Sequence, residues 1–121
     1  MRYRSEIVKG HGRGKLLGFP TFNLVIPTDF NYQHGIYAAW AWINDTRYQA
    51  AMHFGPVPTF AESDSTLELF LLNYTDEVVV KSIEVEPVKY LREILAFPNS
   101  QSLAEQIGED VVRTKELLEG V

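Results

Sequence analysis

Gly35-Ile36-Tyr37-Ala38-Ala39-Trp40-Ala41-Trp42-Ile43, then Asn44-Asp45-Thr46, then Arg47-Tyr48-Gln49-Ala50-Ala51-Met52-His53-Phe54 is the stretch that decides the fold. Two runs rich in aromatic and aliphatic residues flank a short polar break, the pattern of a β-hairpin. Asn and Asp tolerate the backbone conformations of a tight turn, so residues 44–46 suit the connection. The same punctuation extends outward. Further strands are expected at Tyr3–Lys9, Thr21–Ile26, Thr66–Tyr74 and Glu77–Glu86, separated by Gly, Pro, Asn and Asp. Six strands in 121 residues favour a small closed barrel, because closure removes exposed strand edges.

The last third changes period. Leu103, Ile107, Val111, Thr114 and Leu118 recur at helical spacing, with Glu and Lys on the other faces. The spacing predicts one amphipathic C-terminal helix lying on the barrel. Ser102-Leu103-Ala104-Glu105 fits a capping box, with Asn99 or Ser100 as alternative caps behind Pro98. The expected organisation is a single domain over residues 1–121, dominated by β structure.

Composition narrows the function classes. Eleven basic against sixteen acidic residues give a net charge of −5, which argues against a nucleic-acid binder. The absence of cysteine excludes disulfides, Cys-ligated zinc and cysteine nucleophiles. No apolar run reaches the length of a bilayer span, and Met1–Gly10 lacks the apolar core of a signal peptide. A cytoplasmic location without a membrane partner is the expectation.

Three segments carry candidate chemistry. Gly10-His11-Gly12-Arg13-Gly14-Lys15-Leu16-Leu17-Gly18 could let backbone N–H groups approach a phosphate, with Arg13 and Lys15 as cations. Its spacing matches neither a Walker A loop nor a dinucleotide fingerprint, and taken alone it serves equally as a solvated turn. In Leu17-Gly18-Phe19-Pro20-Thr21-Phe22-Asn23, strand alternation puts Thr21 and Asn23 on one side. A hydroxyl and an amide carbonyl are hard oxygen donors suited to Mg²⁺, or they are two surface polar residues at a strand start. In Thr66-Leu67-Glu68-Leu69-Phe70-Leu71-Leu72, the leucines at 67, 69 and 71 share one face, and Glu68 shares the other with Phe70 and Leu72. A carboxylate among apolar neighbours is either a general base or a charge guarding an exposed strand.

The order Gly10-x-Gly-Arg-Gly-Lys-x-Leu-Gly-Phe-Pro-Thr-Phe-Asn resembles the signature of the riboflavin kinases, a glycine-rich flap followed by Pro-Thr-Ala-Asn. The resemblance continues through Gly35-Ile36-Tyr37-Ala38, Gly55-Pro56-Val57-Pro58-Thr59-Phe60, Leu67–Leu72, Tyr90-Leu91-Arg92 and Phe97–Ile107 to Asp110, covering nearly the whole chain. It implies a six-stranded antiparallel Greek-key barrel with a C-terminal helix. It implies transfer of the ATP γ-phosphate to the ribityl 5′-hydroxyl of riboflavin, giving ADP and FMN, with Mg²⁺ or another divalent cation. Gly10, Gly12, Gly14 and Lys15 match the nucleotide flap. Thr21 and Asn23 match the metal-binding pair beside the nucleotide, Glu68 the catalytic base, and Arg92 and Ser102 the flavin side.

Three positions depart from the family pattern. Phe22 replaces the motif's Ala and should point away from the metal side. Val79-Val80 stands where a Tyr-Gly pair is usual, and Leu95 where a basic residue is usual. These departures motivate the alternative of a non-catalytic flavin or nucleotide binding module. Bacterial members of that family are often fused behind an adenylyltransferase module of the kind that makes FAD, so the resemblance implies either a monofunctional kinase or the kinase domain of such a larger enzyme. His11, His34 and His53 form no metal signature, and Trp40 and Trp42 read as packing residues.

Overall fold

The computed structural model describes residues 1–10, 18–75 and 80–120. Six strands run β1 (Tyr3–Val8), β2 (Phe22–Leu24), β3 (Gly35–Ile43), β4 (Thr46–Val57), β5 (Glu62–Leu71) and β6 (Ser82–Arg92). A short 3₁₀ turn, Pro58–Phe60, follows β4, and one helix, α1 (Ser100–Leu118), follows β6. The strands close into an antiparallel barrel in the order β1-β2-β5-β4-β3-β6. Strands β3, β4 and β5 meander, and β6 returns to lie beside β3, which is a Greek key.

Every strand expected from the sequence is present; Gly35–Ile43 has the expected ends and the others are shifted. The β3–β4 hairpin pairs Ile43 with Thr46 across a turn in which Asn44 has φ 55°. β4 runs past its expected end at Phe54 because a register shift between Gly55 and Val57 absorbs the Gly-Pro break. The sixth strand is Ser82–Arg92, not Glu77–Glu86. It passes through Pro87 where the β3 pairing shifts between Ala38 and Ala39, so the missing N–H falls at an irregularity. β2 is shorter than expected, and Thr21 stands just before it.

Alternation divides the strands between two apolar layers. Tyr37, Ala39 and Ala41 of β3, Ala50, Met52 and Phe54 of β4, and Leu67, Leu69 and Leu71 of β5 point into the barrel. The alanines leave room for rings from elsewhere: Phe30 meets Tyr3 and Phe54 edge-on at 5.0 and 4.9 Å. Phe22 also turns inward, packing edge-on against Tyr74, as expected of the residue between Thr21 and Asn23.

The second layer lies outside the barrel, beneath α1. Ile36, Ala38 and Trp40 of β3 pack with Leu91 and Leu118. Trp40 is thus a packing residue, and Arg47 stacks over its outer ring face at 3.8 Å. Asn99 caps α1, its Oδ1 accepting from the Ser102 N–H at 2.8 Å, so the cap is the alternative residue and not Ser102. Of the expected helical stripe, Thr114 and Leu118 are sealed against the barrel, whereas Leu103 and Ile107 are half-buried and line a cavity. No described helix is long and apolar enough to cross a membrane.

Candidate functional site

The cavity lies between the outer wall of the barrel and the N-terminal half of α1. Its volume is about 120 Å³, near the size of cavities that accept a single aromatic ring. Its apolar lining includes Phe19, Phe60, Phe70 and Phe97, with Phe19 edge-on to Phe70 at 5.4 Å. Three elements cover it: the 3₁₀ turn, the segment after β6 with Ile94, Leu95 and Phe97, and helix α1.

Much of the polar lining lies on one row of residues crossing five strands. Asn23 on β2 pairs with Glu68 on β5, Glu68 with His53 on β4, His53 with Ile36 on β3, and Ile36 with Arg92 on β6. Residues directly opposite on adjacent strands have Cβ atoms about 4.5–5.5 Å apart and share a face. All five line the cavity. Distant stretches of sequence are therefore brought side by side by the register of neighbouring strands.

Glu68 is held by two hydroxyls. Thr21 Oγ1 donates to Oε1 at 3.0 Å, and Thr66 Oγ1 donates to Oε2 at 2.9 Å. No cation among the described residues forms an ion pair with it. Its carboxylate therefore keeps lone pairs to accept a further proton or hydrogen bond. The expectation that Thr21 and Asn23 share a side is met, since both line the cavity and both adjoin Glu68. Gly10 has a definite local role here, because a Cβ at that position would overlap the Asn23 carboxamide. Gly12, Gly14 and Lys15 lie outside the described residues.

At the other end of the row, Arg92 makes a two-pronged pair with Asp110 of α1. Nε donates to Oδ1 at 2.9 Å and Nη2 to Oδ2 at 2.8 Å, and both side chains are largely buried. Gln106 Nε2 donates to the same carboxylate at 3.2 Å, and Arg92 Nη1 to the Glu93 carbonyl at 3.0 Å. The pair bolts α1 to the end of β6 beside the cavity. Ser102 does not line the cavity; its N–H belongs to the helix cap. Leu95, where the family pattern has a basic residue, lines it as an apolar surface. Val80 packs against the barrel core, and Val79 lies outside the described residues.

His53 is the residue that sequence reasoning set aside. On its own it is one histidine in an apolar strand, and only the register places it beside Glu68. Its Nε2–H donates to the Gly55 carbonyl at 2.9 Å, the one direction open because a carbonyl only accepts. Burial lowers its pKa below the ordinary 6.5, outweighing the Gly55 bond and the Glu68 charge, and Arg92 and His34 lower it further. The ring is therefore neutral at pH 7. His34, by contrast, packs edge-on to Phe54 at 5.1 Å outside the cavity.

The described residues hold no cluster of three or more His, Cys, Asp or Glu side chains suited to a metal ion. The available metal donors are of another kind, the oxygens of Thr21 and Asn23 beside the Glu68 carboxylate. Such hard neutral donors fit Mg²⁺, which binds through few protein ligands and completes its shell with phosphate oxygens and water.

The chain matches known proteins in both sequence and fold. The family model for riboflavin kinase, Flavokinase, matches residues 1–118. The chain is 32% identical over 106 residues to an RNA-binding riboflavin kinase, RibR, of Bacillus subtilis, covering 87% of this chain and 46% of that protein. It is 31% identical over 108 residues to a bifunctional riboflavin kinase/FMN adenylyltransferase of the same organism, covering 86% of this chain and 34% of that protein. The chain thus spans less than half the length of these relatives. Among solved structures, a riboflavin kinase of Trypanosoma brucei shares the fold, with a TM-score of 0.69 at 20% identity over 98% of this chain and 80% of that one.

Proposed function

The chain belongs to the riboflavin kinase family, and from that premise we propose that it transfers the γ-phosphoryl group of ATP to the ribityl 5′-hydroxyl of riboflavin, giving FMN and ADP. The observation that carries this reading is the row Asn23–Glu68–His53–Ile36–Arg92. It runs from oxygen donors suited to a metal–phosphate complex, through a carboxylate, to a ring-sized apolar cavity.

In this reading one end of the three-ring isoalloxazine enters the cavity among Phe19, Phe60, Phe70 and Phe97, and the ribityl chain extends along the row toward Glu68. Thr21 and Thr66 fix the carboxylate by one hydroxyl each, so Glu68 meets the 5′-hydroxyl in a set orientation. As the alcohol oxygen bonds to the γ-phosphorus and the bond to the ADP oxygen breaks, Glu68 accepts the alcohol proton. Phosphoryl transfer depends chiefly on positioning and charge stabilisation, so the fixed carboxylate matters as an anchor as well as a base. Thr21 and Asn23 are the residues that would hold Mg²⁺, which when bound neutralises phosphate charge. Gly10 supports them by leaving space for the Asn23 carboxamide. Arg92 contributes to the flavin side by fixing the wall of the cavity through Asp110.

The test is FMN formation from riboflavin, ATP and Mg²⁺, followed by chromatography. Thr21→Ala and Asn23→Ala should each abolish most turnover and weaken Mg²⁺-dependent nucleotide binding more than flavin binding. Unchanged activity at limiting Mg²⁺ in both variants would remove the metal assignment. Flavin binding without any FMN formation would favour the non-catalytic binding module instead.

A further inference from the structure

His53 stands between the two halves of the candidate site. Its Cα partner on one side is Glu68 and on the other Ile36, which leads on to Arg92. A flexible chain that runs along the row from the Arg92 end to an alcohol facing Glu68 passes this imidazole, at a cross-strand spacing of about 5 Å. Nε2–H is committed to the Gly55 carbonyl. In a neutral ring Nδ1 is then an acceptor with its lone pair unused. Nδ1 has no hydrogen-bond partner among the described residues, yet it is not a sealed and unpaired atom, a condition that among them only Thr114 Oγ1 shows. The ring lines the cavity.

Resting on the kinase reading above, we propose that His53 determines specificity for the polyol chain, its Nδ1 accepting a hydrogen bond from a ribityl hydroxyl of the flavin substrate. The backbone shows how the ring is set. Gly55 has φ 132°, and a Cβ there would crowd Ile94 and His34, so its carbonyl direction depends on glycine. That carbonyl fixes Nε2 as the protonated nitrogen and leaves Nδ1 to the ligand. The neutral state also suits the role, because an imidazolium would donate at both nitrogens.

Two flavins separate this role from plain ring packing. Riboflavin carries the polyol chain; lumiflavin has the same ring system with a methyl group in its place. Binding of each is measured by quenching of flavin fluorescence, with ADP and Mg²⁺ held constant, for the parent, His53→Leu, His53→Gln and His53→Asn. An asparagine amide lies where Nδ1 lies, and a glutamine amide where Nε2 lies. His53→Leu and His53→Gln should weaken riboflavin binding about 3- to 10-fold, the range of one net hydrogen bond, and leave lumiflavin binding within about twofold. His53→Asn should retain riboflavin affinity to within about threefold of the parent. Equal losses for both flavins, or unchanged riboflavin binding in His53→Leu, would overturn the proposal. So would retention by His53→Gln with loss in His53→Asn, which would assign the role to the Gly55 bond. A parent that binds lumiflavin and riboflavin equally would also overturn it. A parent that binds neither flavin would overturn the kinase reading itself, and this proposal with it.

Discussion

The inside of the barrel and the layer beneath its helix are built from the same strands but obey different rules. Inside, Leu67, Leu69 and Leu71 meet Met52, Phe54 and a set of edge-on rings, and the contacts are mostly apolar, with hydroxyls such as that of Tyr37 satisfied by backbone carbonyls. Outside, one residue away along β5, Glu68 and Phe70 face the cavity with His53, Arg92 and Asp110. The interior gains from excluding water and needs no ligand. The outer layer half-buries a carboxylate and an imidazole and buries an ion pair, which loss of water disfavours unless each finds a partner. Because side chains alternate, consecutive residues of one strand answer to different demands: one layer holds the fold, and the other is available for chemistry.

The sharpest way to break this division is to substitute adjacent residues. Glu68→Gln keeps size and part of the hydrogen bonding but removes the proton acceptor. If proton acceptance limits the step, kcat should fall about 10²–10⁴-fold, with the thermal midpoint within a degree or two of the parent. Rapid-quench kinetics together with a melting curve measure both. Near-parental chemistry would leave Glu68 a positioning residue.

Asp110→Ala probes the place where the outer layer is structural. It leaves the Arg92 guanidinium largely buried without its anion, and breaking a buried pair in this way costs about 3–5 kcal/mol. Urea denaturation should show the loss, and Asp110→Asn should show less. A negligible change would mean that the helix is held by Thr114, Leu118 and their neighbours alone.

Leu69→Ala addresses the interior. Leu69 is fully buried, and truncation should cost about 2–5 kcal/mol in urea denaturation while kcat of the folded fraction stays near the parent value. A large kcat loss in folded Leu69→Ala would show that the two layers are coupled and the division is wrong.

The smallest effect concerns His53. Its folded-state pKa lies below the ordinary 6.5, chiefly through burial. The unfolded chain therefore binds this proton more readily, so His53 takes nothing from stability above about pH 6.5 and lowers it as pH falls through the folded pKa. His53→Asn should flatten that part of the stability profile in denaturant titrations at several pH values. Glu68, Arg92 and His34 also face the imidazole, so the comparison is with the parent at each pH. Identical profiles would mean that the ring is not desolvated in the folded state.

How much of this could be read beforehand follows from which interactions are local. The hairpin at 44–46 was legible because turn residues separate two strongly β-forming runs. The two faces of Leu67–Leu72 were legible as far as Leu71, because alternation is a property of the strand itself. Thr21 and Asn23 could be placed on one side by the same rule. Strand ends at Pro87 and Gly55-Pro56 were misplaced, because a proline reads as a stop until a partner strand supplies a bulge. Asn99, Ser100 and Ser102 were all plausible caps, and the choice fell to the residue whose backbone is extended, with φ −157° and ψ 169°.

By itself, then, the sequence determined the alternation, the turns, the helical period and the family signature, since each is written in residues close along the chain. It could not determine that Asn23, Glu68, His53, Ile36 and Arg92 form one row, nor that Asp110 is the partner of Arg92. Those relations depend on the register of five strands and on where the helix lands. Register is set by the simultaneous fit of all interior side chains in a closed barrel, since a slip by one residue would turn every leucine outward and every polar neighbour into the core.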